Sequence, residues 1–370
     1  MRIAIFHATL PEVGRKPGGV EVAVHRLATW LARRGEDEVT VLSLTPCPEG
    51  ALYRHVRLFE KAPWLGKSQL ARWLLLPALL NFVTWRRFDI LHLHGDDWFF
   101  FRRPIPTVRT LHGSALQEAR SATSLRRRVS QYLIYPLERL AARLAATAAA
   151  VGAETARIYG LDVVVDNGVD SGVFFPGEKS AGPRILFVGT WEGRKRGSWM
   201  FDLFVKRIQP RLPAAELVFV SDRCPRHTGV TFVRFPDDRV LAALYRQAWV
   251  FACPSSYEGF GMPYLEALAS GTAVVASPNG GADRVLAGGG FGIIAPDEDF
   301  SDRVVDLLTD AKRRHELETA GLARAKEFSW NDVAARHRGV YVETLEKAGR
   351  RRPASLRGED PRSPRSGPVR

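Results

Sequence analysis

Residues 250–276, VFACPSSYEGFGMPYLEALASGTAVVA, decide how the rest of the chain is read. The apolar run 250–253 has the length of a strand buried on both faces. A loop with Glu258, Gly259, Phe260 and Gly261 follows, and Pro263 opens a helix over 263–270. Proline suits the first helical position because its φ is already helical and it has no N–H to leave unpaired. The run 273–276 is the next strand. Strand, glycine loop and helix in that order bring free backbone N–H groups to the carboxyl end of a strand. Open α/β sheets bind ligands there, and a helix start stabilises an anion. Glu258 and Glu266 bracket this cradle with seven residues between them. Carboxylates accept paired hydrogen bonds, so both are suited to diols.

Working outward, the same strand–helix habit runs through the chain. Strands are expected at 2–8, 39–44, 89–93, 106–111 and 163–166, then at 184–188, 217–220 and 230–235. Helices are expected at 20–33, 125–146, 198–208, 238–247, 299–309, 312–328 and 331–348. Alternation of this kind implies α/β architecture with a parallel sheet covered on both faces. The chain has 370 residues, 45% of them hydrophobic, enough for two such domains with separate cores. The expected layout is residues 1–170, a Gly-rich hinge at 168–182, residues 183–330, and a terminal helix.

The net charge is +13. Seven arginines against Glu359 and Asp360 give residues 349–370 a charge of +5, and +8 remains on the rest. The tail 349–370 has almost no apolar content and is expected to be disordered. The balance favours anionic partners such as nucleotide phosphates or acidic lipid headgroups. Cys47, Cys224 and Cys253 are too widely spaced for a CxxC site, so a reducing cytosol is expected. The run 70–83, LARWLLLPALLNFV, carries Arg72, Pro77 and Asn81 and falls short of the ~20 residues that span a bilayer. It reads as a buried or interfacial helix. Together with Arg126, Arg127, Arg128, Tyr132 and Leu133 it suggests a peripheral membrane contact.

The stretch around Glu258 and Glu266 resembles the Glu-x7-Glu signature of the retaining glycosyltransferases of family 4. The likeness extends to Gly18-Gly19 before a helix, Thr110-Leu111-His112-Gly113 after a strand, Asn167-Gly168-Val169-Asp170 at the hinge and Gly280-Gly281 before a later helix. It covers nearly all of residues 1–345. It implies the GT-B fold, two doubly wound Rossmann-like domains facing across a cleft. It also implies metal-independent transfer from a nucleotide-sugar donor to a glycan or lipid-linked acceptor with retention, without a cofactor.

The resemblance implies that Glu258 and His112 lie beside the reacting sugar. Gly18, Gly19, Gly259, Phe260, Gly261, Met262 and Glu266 are implied on the donor, with Glu266 on the ribose. The loop 189–197, GTWEGRKRG, brings cations to the carboxyl end of strand 184–188, where they would neutralise a departing diphosphate. The family usually carries an arginine directly after the first glycine. Thr190 stands there, so Lys195 and Arg196 are both candidates for the phosphate contact. His94, Asp96 and Asp97 end another strand and read as structural or acceptor-side, and His7 as structural. A nucleotide-sugar epimerase of the same fold is the nearest rival, distinguished by turning over donor with no acceptor. A nucleic-acid binder lacks any recognition motif, and a nicotinamide dehydrogenase lacks GxGxxG after the first strand.

Overall fold

Short apolar runs without alternation make strands buried on both faces, and helices must then cover each face. The computed structural model describes residues 1–12, 18–62 and 64–350. Residues 351–370 lie outside the described residues, and with them nearly all of the tail expected to be disordered.

The first half runs β1 (Arg2–Phe6), α1 (Gly19–Arg33), β2 (Glu38–Ser43), β3 (Arg54–Arg57), α2 (Trp64–Lys67), α3 (Gln69–Leu79) and β4 (Ile90–Leu93). It continues with β5 (Thr107–Leu111), α4 (Ala115–Arg120), α5 (Leu125–Leu144), β6 (Thr147–Ala150), α6 (Ala153–Tyr159) and β7 (Val163–Val164). These strands form one parallel sheet ordered β3-β2-β1-β4-β5-β6-β7. The second half runs β8 (Arg184–Val188), α7 (Gly197–Leu203), β9 (Glu216–Val220), β10 (Val230–Val233), α8 (Asp238–Gln247) and β11 (Val250–Cys253). Then come α9 (Met262–Ala269), β12 (Ala273–Ala276), α10 (Gly280–Leu286), β13 (Ile293–Ile294), α11 (Asp297–Thr309) and α12 (Ala311–Ala325). Its parallel sheet is ordered β10-β9-β8-β11-β12-β13.

Each sheet has a core on both faces. In the first half, Ile3 and Ile5 face α1, while Ala4 and Phe6 face Leu76, Leu80 and Trp85. The crossovers β3 to β4 and β5 to β6 step the same way along the sheet, so right-handed connections put α3 and α5 on one face together. Leu70, Leu74 and Leu75 of α3 and Leu125, Val129 and Leu133 of α5 are exposed. The run 70–83 is thus the half-buried helix α3, ending at Leu79, followed by a tight helical turn at Leu80–Phe82, and its outer face stays apolar. No helix among the described residues is long and apolar enough to cross a membrane.

The last helix, α13 (Trp330–Arg350), packs on α1 and β5 of the first half. Val169 N–H donates to Phe328 O at 2.8 Å where the two crossing segments meet. Tyr341 is sealed in the same core as Ile3 and Val24. The chain therefore returns to its starting half, which ties the two sheets together at the hinge.

Candidate active site

Glu258 is the centre of the arrangement. β11 is sealed between β8 and β12, so the loop after it must emerge at the sheet's carboxyl edge. Gly261 takes φ +98°, a left-handed conformation that glycine adopts without strain, and it turns the chain into α9. Gly259 meets the first half directly: a Cβ there would lie 2.3 Å from His112 O. Only glycine lets these two loops touch. Tyr257 Oη, from the same loop, accepts the Ser114 N–H at 2.7 Å.

The Glu258 carboxylate is 5% exposed and is gripped from the basic loop after β8. Lys195 Nζ lies 2.5 Å from Oε1, and Arg194 Nη1 lies 2.9 Å from Oε2. Burial pushes Glu258 up, but Lys195 and then Arg194 outweigh it and hold the carboxyl at about 2. Arg194 also donates to Tyr257 O at 2.7 Å and reaches across the cleft to Glu118 of α4, with Nε 3.2 Å from Oε1. Burial opposes the charge on Arg194, but Glu258 and Glu118 keep it firmly protonated.

Arg196 goes elsewhere. Its φ of +55° turns its side chain out of the loop to Asp297, at 2.5 and 2.8 Å, and its guanidinium covers the Trp199 ring at 4.3 Å. Of the two candidate cations, only Lys195 stands at Glu258.

Glu266 sits in the second turn of α9, which begins at Met262. Burial lifts its carboxyl to about 7 against the pull of Arg26, with Asp238 adding to the rise. Arg26 comes from α1 and binds Asp170 at 3.0 Å and Asp238 at 2.5 Å, so this corner is also shared by both halves. Phe260 turns its side chain into the core, edge-on to Phe328, and offers the cleft backbone only. Met262 packs against the cores of both halves. Gly18 caps α1: its N–H donates to Glu21 Oε2 at 3.2 Å, and Thr9 Oγ1 donates to Glu21 Oε1 at 2.7 Å. A Cβ on Gly19 would meet nothing within 4 Å, so the backbone there is open to approach.

His112 follows β5 and faces the Glu258 loop. Burial lowers its imidazole to about 3, so the ring is neutral at ordinary pH. Its Nε2 lies 2.8 Å from His94 Nδ1. Asp97 is sealed between Arg103 at 3.1 Å and Arg109 at 3.0 Å, and Asp96 pairs with Arg72 at 2.8 Å. Both acids serve the first half's own structure. His7 Nδ1 lies 2.6 Å from Thr9 O, an interaction within the β1 loop. Among the described residues no group of three or more His, Cys, Asp and Glu is arranged to hold a metal ion.

Sequence reasoning placed Arg194 near the cleft beside Lys195 and Arg196 without choosing it as the phosphate contact, and it did not single out Glu118 or the His94–His112 contact. Arg194 lay in plain sight within Arg-Lys-Arg, but the run does not say which cation turns inward. The His94 contact needed two strand ends to be placed side by side.

Comparisons with known proteins point to one family and one fold. Residues 17–172 match the model described as Glycosyltransferase Family 4, and residues 182–310 match the one described as Glycosyl transferases group 1. The phosphatidyl-myo-inositol mannosyltransferase of Mycolicibacterium smegmatis is 29% identical over 364 residues, covering 90% of this chain and 92% of that protein. Among solved structures, a sucrose-phosphate synthase from Thermosynechococcus elongatus superposes with a TM-score of 0.76 at 19% identity, covering 94% of this chain and 99% of that one. Anabaena HepE in complex with UDP-glucose superposes with a TM-score of 0.70 at 16% identity, covering 94% of this chain and 100% of that one.

Proposed function

Since the chain belongs to glycosyltransferase family 4, glycosyl transferases group 1, and has the GT-B fold, we propose that it transfers a sugar with retention from a nucleoside-diphosphate sugar to a lipid-linked acceptor, without a metal. One observation carries the reading. Lys195 and Arg194 converge on Glu258 at the point where the second half's glycine loop touches the His112 loop of the first.

The roles follow from charge. The diphosphate is a dianion or more and docks beside Lys195 and Arg194, with the α9 N–H groups and the open backbone at Gly19 behind it. Glu266 takes the ribose diol. The sugar then lies between Glu258 and His112. As the anomeric carbon–oxygen bond breaks, negative charge grows on the diphosphate and the two cations stabilise it more than they do the ground state. The acceptor hydroxyl enters on the face the diphosphate leaves, where its oxygen bonds to the anomeric carbon as its proton passes to the departing diphosphate oxygen. Glu258, held at about 2 by two cations, is a weak nucleophile and a weak base. Its part is to orient the sugar and balance those cations, so no glycosyl-enzyme intermediate is invoked.

The acceptor reading rests on the outer face of α3 and α5. Leu70, Leu74, Leu75, Leu125 and Leu133 are exposed there, and Arg126, Arg127 and Arg128 lie on α5. An apolar surface rimmed by arginines suits the interface of an anionic membrane. The name of the mycobacterial relative directs the first trial to a mannose nucleotide and an inositol phospholipid.

The test is to incubate the protein with a panel of nucleotide sugars, including mannose nucleotides and UDP-glucose, with and without vesicles containing phosphatidylinositol, in EDTA. A glycolipid with the donor's anomeric configuration supports the proposal. Inverted product, or activity lost in EDTA and restored by a divalent ion, overturns the corresponding part. Isomerised nucleotide sugar formed with no acceptor makes the protein an epimerase.

A further inference from the structure

We propose that His94 is a positioning residue that decides which ring nitrogen of His112 carries the proton. The inference rests on the placement of His112 beside the reacting sugar, and it concerns what that ring can do there.

Burial lowers both imidazoles below their ordinary value, and no carboxylate offsets it at either ring. The 2.8 Å contact between His94 Nδ1 and His112 Nε2 therefore joins two neutral rings. One of these nitrogens donates and the other accepts. His94 is 5% exposed, and its Nε2 is sealed away with no partner. If His112 donates, His94 must carry its proton on that sealed Nε2, burying an N–H with nothing to accept it. If His94 Nδ1–H donates, the sealed atom is a bare lone pair. Orphaned N–H groups are the rarer fault in protein interiors, so the second arrangement wins.

The ring of His94 packs against His92, centroids 3.9 Å apart and planes tilted by 44°. His92 is itself held at both nitrogens, by Tyr341 Oη at 2.7 Å and Thr110 Oγ1 at 2.8 Å. Tyr341 belongs to α13, so the returning helix backs the catalytic histidine through two packed rings.

The consequence is chemical. The Nε2 lone pair of His112 is occupied by His94, and its proton sits on Nδ1. That atom has no protein partner among the described residues and is not sealed from solvent. His112 therefore presents an N–H donor to a sugar oxygen, and it has no free lone pair with which to act as a base.

Long-range 1H–15N correlation on protein labelled in the histidine rings reads the tautomer directly, with His112 assigned by its loss in His112→Asn. The expected result is His112 protonated at Nδ1 and bare at Nε2. His94→Asn, whose amide N–H takes the place of Nδ1–H, keeps that pattern and keeps kcat within about threefold. His94→Leu lets the proton shift to His112 Nε2 and lowers kcat about tenfold or more with donor KM nearly unchanged. His112 protonated at Nε2 in the unsubstituted protein overturns the proposal, even if His94→Leu fails to fold. The spectrum needs no substrate, so it stands apart from whether a sugar is transferred. Transfer by a protein whose His112 carries its proton on Nε2 would sink this inference alone.

Discussion

Replacing Lys195 by Met removes one positive charge from a sealed carboxylate and keeps most of the side chain's bulk. Glu258 titrates at about 2 in the folded chain against an ordinary 4.5. That gap of about 2.5 pH units corresponds to about 3 kcal/mol of folding free energy. The sign follows from the lowered value: the contribution is complete above about pH 4.5 and is lost as pH falls through 4.5 toward 2. Lys195 acts on Glu258 more strongly than Arg194 does, so the loss should be larger for Lys195→Met than for removal of the Arg194 charge. Urea unfolding of both forms at pH 7.5, 5.5 and 4.0 measures this. The gap should be the same at the two higher values and narrower at pH 4.0. In a Glu258→Gln background the same substitution should cost little or nothing, because there is no carboxylate to desert. An undiminished loss in that background, or one that ignores pH down to 4.0, refutes the reasoning. In catalysis the same variant should lose about 100- to 1000-fold in kcat, the scale of removing one preorganised charge from a leaving group.

Glu266→Ala should raise donor KM about 10- to 100-fold, the worth of a charged hydrogen bond, with little change in kcat. Because burial holds Glu266 at about 7 and ribose binding needs its ionised form, donor KM should fall between pH 6 and 8, and Glu266→Gln should flatten that profile. The raised value also means that this group's contribution to stability is present at low pH and lost as pH rises through about 7. Arg196→Ala should leave kcat/KM within about threefold and cost about 1 kcal/mol or less, since its ion pair with Asp297 is exposed. Leu74→Asp with Leu133→Asp should abolish flotation with anionic vesicles while leaving donor binding intact; unchanged flotation would remove the α3–α5 face from the account.

The strand–loop–helix unit around Glu258 was legible because its signals are local. Strands at Arg184–Val188, Val250–Cys253 and Ala273–Ala276 appear as read, and α9 begins one residue before Pro263. β3 was missed because Arg54–Arg57 is a polar edge strand, and β6 because Thr147–Ala150 is mostly alanine, a poor strand former. β13 has only two residues. The helical period of α13 was visible, but which half it would cover was not, since that depends on where a hinge returns the chain. The same limit applied within the site. Charge and spacing brought Lys195 and Arg196 forward together, and a left-handed φ at Arg196 separates them. His94 and His112 meet only because β4 and β5 are neighbours in the sheet.

The most direct measurement is calorimetric titration of a nucleoside diphosphate, in EDTA, into the unsubstituted protein, Lys195→Met and Arg196→Ala. The account predicts metal-free binding that weakens about 30-fold or more for Lys195→Met and stays within about threefold for Arg196→Ala. Binding that requires a divalent ion, or that survives the loss of Lys195, would contradict it.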